Sequence, residues 1–232
     1  MAQDRTVVVT GGTGALGTGV TQALLDAGLS VLVTWVAERE LDRTQERFGE
    51  RVRLERLDVT DGEACAAFAA RLDAAGGAWG LAHLVGGYRG GEPVTELDRA
   101  GWDGQVMLNM TSAALMMRAL LPGMVSRRGG RVVAISSRAA VRPFAGSAAY
   151  AASKAGLIAL VAAAAEDVKH DGVTVNCLLP SVIDTPANRA AQPDADPGRW
   201  VQPVEIGHVV AFLMSDSASA VTGAAIPVYG RA

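Results

Sequence analysis

Thr6-Val7-Val8-Val9-Thr10 is an unbroken β-branched run that ends directly in Gly11-Gly12-Thr13-Gly14-Ala15-Leu16-Gly17. A run without polar alternation suits a strand buried on both faces, as in a parallel sheet covered by helices. The glycine cluster then opens a helical pattern that continues to Ala27, and Gly28 stops it. A strand, a glycine turn and a helix in that order fix the first half of a βαβ unit. The same rhythm recurs to the end of the chain.

Further strands are expected at Ser30–Trp35, Val52–Leu57, Leu81–Val85, Arg131–Ile135, Val173–Leu179 and Ala224–Val228. Between them the pattern predicts helices at Glu38–Phe48, from an Asp61 cap to about Ala75, Trp102–Val125, Tyr150–Lys169 and Glu205–Ser215. Residues 180–203, rich in Pro, Asp, Asn and Arg, read as a loop or small lid. Alternating strands and helices mean a doubly wound, mostly parallel α/β sheet, here expected as a single domain over residues 1–232. Such sheets bind ligands beyond the carboxyl ends of their strands. The unusual residues all fall at that end: Gly11 to Gly17 after strand one, Asp58 after strand three, Gly86 after strand four, Ser137 after strand five, and Ser181 to Thr185 after strand six.

The totals remove several functions. Net charge is −3 with no long block of one sign, so no nucleic-acid partner is expected. Cys65 and Cys177 are far apart and lack CxxC spacing, which gives no metal site and fits a reducing, cytoplasmic compartment. Met1-Ala2-Gln3-Asp4-Arg5 runs straight into the first strand, so no signal peptide is expected. The longest apolar run, Ala155 to Ala165, is too short to span a bilayer, and no membrane partner is expected. The glycine loop lacks the lysine of a P-loop, since Thr18-Gly19 follows Gly17, which argues against an NTPase. It suits a dinucleotide, because glycine lets the backbone approach a pyrophosphate whose charge the helix N-terminus favours.

Tyr150 and Lys154 lie four apart on an alanine-rich helix and so share a face. An ammonium near a phenol stabilises the phenolate, and the spacing therefore predicts a lowered tyrosine pKa and proton transfer near neutral pH. His83, His170 and His208 are scattered and read as structural or surface residues, and Met107, Met110, Met116 and Met117 as packing.

Thr10-Gly11-x-x-x-Ala15-x-Gly17, Asp58-Val59, Asn109, Ser137 and Tyr150-x-x-x-Lys154 together resemble the short-chain dehydrogenase/reductase family in its compact branch, from about residue 6 to residue 230. The resemblance implies a seven-stranded Rossmann-type sheet, a nicotinamide cofactor and hydride transfer at a carbonyl or alcohol carbon. It implies Tyr150 as proton donor or acceptor, Lys154 on the nicotinamide ribose, Ser137 on the substrate oxygen and Asn109 supporting a proton-feeding water. On the cofactor side it implies Gly11, Thr13, Gly14, Ala15, Leu16 and Gly17 for the pyrophosphate, and Asp58 and Val59 for the adenine. Gly86 and Gly87 then line the approach, and Ile183 and Thr185 hold the nicotinamide amide. Ala15 stands where the compact branch has its middle glycine, and Gly86-Gly87-Tyr88 replaces the usual Asn-Asn-Ala-Gly.

For the adenosine ribose the resemblance points to Trp35 and its neighbours Glu38 and Arg39. The missing acid at Trp35 leans towards NADP over NAD without deciding it. Two loops, residues 85–91 and 179–200, resemble the quinonoid dihydropteridine reductases, which implies a flat conjugated substrate as the alternative to a simple carbonyl. A non-catalytic redox sensor that binds the dinucleotide is the rival of a different class, and an isomerase or dehydratase using the same Tyr/Lys pair is another. The apolar faces of the helices at 102–125 and 150–169 lead to an expected homodimer or homotetramer.

Overall fold

The computed structural model describes residues 5–231. Met1 to Asp4, on which the expectation of no signal peptide partly falls, lie outside the described residues, as does Ala232. In chain order the sheet-forming and helical elements are β1 (Thr6–Thr10), α1 (Ala15–Asp26), β2 (Ser30–Trp35), α2 (Leu41–Phe48), β3 (Val52–Arg56), α3 (Gly62–Ala74) and β4 (Gly80–His83). They continue with α4 (Arg99–Val106), α5 (Ser112–Ser126), β5 (Gly130–Ile135), α6 (Ala148–Val168), β6 (Val173–Pro180), α7 (Pro186–Ala191), α8 (Pro203–Leu213) and β7 (Ala225–Val228).

The seven strands form one sheet in the order β3-β2-β1-β4-β5-β6-β7, and every pairing is parallel. This is the Rossmann-type doubly wound sheet that the alternation predicts. The strand order reverses between β1 and β4, which puts a crevice beyond their carboxyl ends. Thr10 is level with Thr34 on one side and His83 on the other, and His83 is level with Ala134. The loops after β1, β2, β4 and β5 therefore leave the sheet at one height.

Alternate strand residues feed two cores. Val8, Leu32, Leu81, Val132 and Val175 meet α3, α5 and α6 on one face, while Val7, Val9, Val31, Val133 and Leu178 meet α1 and α8 on the other. Both faces are covered, which is why these strands read as continuous apolar runs. Asp61 caps α3 as its position predicts, its carboxylate accepting from the amides of Glu63 and Ala64 at 2.9 and 3.1 Å.

Four details differ from the sequence reading. β4 ends at His83 rather than Val85, because the chain peels away into the glycine-rich segment. The long helix at 102–125 is two helices joined by a π-helical turn, Met107–Thr111, a wider turn that is frequent at functional sites. The lid at 180–203 is partly ordered: Thr185 accepts from the Asn188 amide and starts α7, and Ile183 bridges to Val201. Finally, α6 is long and apolar enough by length and composition to cross a membrane, although the shorter apolar run inside it is not. It packs on β6 and buries Ser153 and Lys154, as a core helix does.

Candidate active site

The glycine loop after β1 forms a ledge at the start of α1. Gly14 stands at the N-cap with no side-chain cap and no acid in the first turn, so the first amides of α1 have no intrahelical partner. A Cβ at Gly17 would lie 2.4 Å from the Gly12 Cα, which makes this the point where loop and helix pass too closely for any side chain. The exposed side of the ledge is free, since a Cβ at Gly14 would meet nothing nearer than the Gly11 carbonyl at 3.4 Å. Bare amides at a positive helix end fit a pyrophosphate.

Beside the ledge is a cavity of about 210 Å³ whose wall includes Gly11, Thr13, Trp35, Asp58, Val59 and Leu108. Asp58 is held by Thr60, whose amide and hydroxyl donate to it at 2.9 and 2.6 Å, and these bonds pull its carboxyl below the ordinary range. Glu40 also belongs to this wall, and the Thr13 hydroxyl donates to it at 2.5 Å. Ledge and cavity together fit the two halves of a dinucleotide.

The other half of the site lies past β4 and β5. Tyr150 and Lys154 sit one turn apart on α6. The Lys154 ammonium is buried and donates to the Ile135 carbonyl at 2.7 Å, at the end of β5. Burial pushes its pKa down to about 8. Ser136 ties the helix to the same strand, its hydroxyl donating to the Lys154 carbonyl at 2.8 Å. Ser137 follows, accepting from the Ala139 amide at 3.1 Å, and its side chain is near enough to the Tyr150 hydroxyl to lower the phenol's pKa.

The tyrosine pKa departs from the sequence expectation. Desolvation raises the phenol above its ordinary value; the neighbouring Ser137 side chain lowers it only partly, and Tyr88 adds to the rise. Lys154 is engaged with Ile135 and is not among the groups that shift it. Sequence spacing established the shared helix face but not which acceptor the ammonium finds.

Asn109 occupies the π turn and is fully buried. Its carboxamide pairs with the Gly87 backbone in both directions, accepting from the amide at 2.9 Å and donating to the carbonyl at 3.1 Å. A second proton reaches Gln105 at 3.3 Å. A Cβ at Gly86 would lie 2.7 Å from Lys154 Nζ and 2.8 Å from Asn109 Oδ1, so this bare backbone separates the two groups.

The π turn is anchored from beneath by a chain that sequence did not reveal. Ser112 donates to the Leu108 carbonyl at 2.7 Å and therefore accepts from His83 Nε2–H at 3.1 Å, which leaves Nδ1 to accept the Thr10 hydroxyl at 2.9 Å. His83 is structural, as its isolation suggested. Burial, with Lys154 nearby, pushes its pKa down to about 3.

Not every candidate reaches the site. Arg39 and Glu38 are exposed on a 3-10 turn outside the cavity wall, while Trp35 is in it. Ala15 and Leu16 lie in the first turn of α1. Ile183 and Thr185 hold the lid segment through the Val201 bridge and the α7 cap. Met116 and Met117 are core residues, whereas Met107 is exposed. Residues missed from sequence are Glu40, Gln105 and the aromatic pair Tyr88 and Phe144. The Tyr88 ring stands edge-on to Tyr150 at 5.3 Å and tilted against Phe144 at 5.6 Å. Both Tyr88 and Phe144 are half exposed, and only the glycine segment around Tyr88 hinted at a binding role.

Comparison with known proteins bears on the family and the fold. Residues 12–230 match a family model described as enoyl-(acyl carrier protein) reductase. The chain is 33% identical to cis-4-hydroxycyclohexanecarboxylate dehydrogenase of Sinomonas cyclohexanicum, over 98% of this chain and 96% of the other. It is 29% identical to 3-oxoacyl-(acyl-carrier-protein) reductase FabG of Vibrio harveyi, covering 98% and 97%. A solved short-chain type dehydrogenase/reductase from Mycobacterium ulcerans superposes with a TM-score of 0.88 at 31% identity, covering 98% and 89%.

Proposed function

This chain belongs to the short-chain dehydrogenase/reductase family and is an NAD(P)-dependent oxidoreductase, and from that premise we propose that it reduces a carbonyl-type carbon, or oxidises the matching alcohol, with Tyr150 as its proton-transfer residue. The observation that carries the proposal is the meeting of Tyr150, Ser137, Lys154 and Asn109 at the carboxyl ends of β4 and β5. When bound, a nicotinamide dinucleotide supplies or accepts the hydride.

Tyr150 is kept protonated through neutral pH by burial, so its hydroxyl is loaded to donate to a substrate oxygen as negative charge develops there. The Ser137 side chain lies beside that hydroxyl and would hold the same oxygen. Lys154, with a pKa near 8, can hold or release a proton close to neutral pH. Asn109 fixes the Gly86-Gly87 backbone that lies against the ammonium, and a water between Lys154 and Asn109 would lead protons towards Tyr150. The oxyanion would thus be met by the Tyr150 and Ser137 hydroxyls.

A flat conjugated substrate such as a quinonoid pterin is the second reading. It is favoured by Tyr88 and Phe144, which present half-exposed aromatic surface beside Tyr150. A sensor that binds dinucleotide without turnover has no use for the tyrosine and lysine built in here. The two buried free thiols support a reducing, cytoplasmic setting. A homodimer or homotetramer is supported by α6, whose most apolar stretch has a mean hydropathy of 1.5 yet is only 44% buried within one chain.

The test is NADH and NADPH oxidation against a panel of ketones, aldehydes, 3-oxoacyl thioesters and quinonoid pterins. Turnover of a carbonyl compound supports the main reading, turnover of the pterin alone supports the second, and dinucleotide binding with no turnover on any compound favours the sensor.

A further inference from the structure

We propose that Glu40 makes the dinucleotide site selective for NAD(H) over NADP(H); the proposal rests on the dinucleotide reading of the ledge and cavity. Sequence alone, with no acid at Trp35, leans to NADP. The structure supplies an acid by another route. β2 ends at Trp35, Val36 and Ala37 carry no charge, and the chain turns through the 3-10 segment Glu38–Glu40. That turn brings the Glu40 carboxylate back to the glycine loop, where the buried Thr13 hydroxyl donates to it at 2.5 Å.

Thr13 lies within the ledge that would receive the pyrophosphate, and Glu40 shares the wall of the cavity beside it. An adenosine in that cavity would therefore present its ribose near Glu40. A carboxylate has about four acceptor sites and Thr13 occupies one, which leaves capacity for a ribose hydroxyl. A carboxylate that accepts from the ribose 2′-hydroxyl is the NAD solution, whereas NADP needs a cation for its 2′-phosphate.

The charge around the cavity points the same way. Among the described residues its wall holds two carboxylates, Glu40 and Asp58, and no lysine or arginine. Arg39, the basic residue next to Glu40 in sequence, is exposed and lies outside the wall. A 2′-phosphate, carrying about −1.5 to −2 charge at neutral pH, would enter against like charge with no counter-ion from the wall. Thr13 adds specificity by fixing the carboxylate in place, so that it cannot turn freely into solvent.

The experiment is a pair of titrations that follow the fluorescence of NADH and of NADPH, which share one fluorophore, on the full chain and on Glu40→Gln. The expected result is a Kd for NADH at least roughly tenfold below that for NADPH, and a ratio that falls to within about threefold in Glu40→Gln, mainly by tighter NADPH binding. If Glu40→Gln does not fold by circular dichroism, Glu40→Arg carries the same test and should favour NADPH. Equal or tighter NADPH binding by the wild type would overturn the proposal. So would an equal loss for both dinucleotides in Glu40→Gln, because a carboxylate that merely latches the loop would leave the ratio unchanged. Binding of neither dinucleotide would instead overturn the reading of the ledge itself, and this proposal with it.

Discussion

Acid should destabilise this protein through His83. The ring is completely buried between Thr10 and Ser112, and its pKa is pushed down to about 3 from an ordinary 6.5. In the unfolded chain the same ring takes up a proton below about pH 6.5, while the folded chain keeps it neutral until about pH 3. The unfolded state therefore binds more protons in that window, and stability falls as the pH falls. The contribution is complete above the unfolded pKa and is lost at about 1.4 kcal/mol per pH unit, or about 2 kcal/mol between pH 7.5 and pH 5.

The assay is urea unfolding at both pH values for the wild type and for His83→Gln, which keeps a donor and an acceptor but does not titrate. His170, His208 and the carboxylates are common to both proteins, so their contributions cancel. The wild type should lose about 2 kcal/mol more than the variant on going to pH 5. Equal losses would refute the claim that burial keeps this ring neutral. The consequence for the site is direct, since the same ring supports the π turn that presents Asn109.

Two further outcomes follow from the geometry. Gly86→Ala would place a methyl 2.7 Å from Lys154 Nζ and 2.8 Å from Asn109 Oδ1, and displacing either group by about an ångström should reduce kcat roughly a hundredfold; stopped-flow turnover checks this, and a change under twofold would contradict it. Light scattering should give two or four times the 23.9 kDa of one chain, and a monomer at micromolar concentration would contradict the partnered face on α6.

How much was legible in the sequence varies with how local the cause is. β1 and the glycine loop are legible because a β-branched run and a bare turn leave few alternatives, and Asp61 is legible because capping is a local bond. Tyr150 and Lys154 share a face by spacing alone. The π turn is not legible, since it is held by His83 from another element and by the Asn109 carboxamide on Gly87. Glu40 is not legible either: three consecutive charged residues follow β2, and only the turn decides that Glu40, and neither Glu38 nor Arg39, meets Thr13. The direction of the Tyr150 shift was misread because spacing shows which groups are near but not how far burial outweighs them. Sites made from three or four elements exceed what periodicity records.

Proton transfer from the Tyr150 hydroxyl is tested most directly by single-turnover oxidation of the bound reduced dinucleotide by a substrate from the panel, in the wild type and in Tyr150→Phe. The phenylalanine variant should bind the dinucleotide with unchanged affinity and transfer hydride at least roughly a hundredfold more slowly, in line with the loss of a general acid. Hydride transfer at the wild-type rate in that variant would contradict that role.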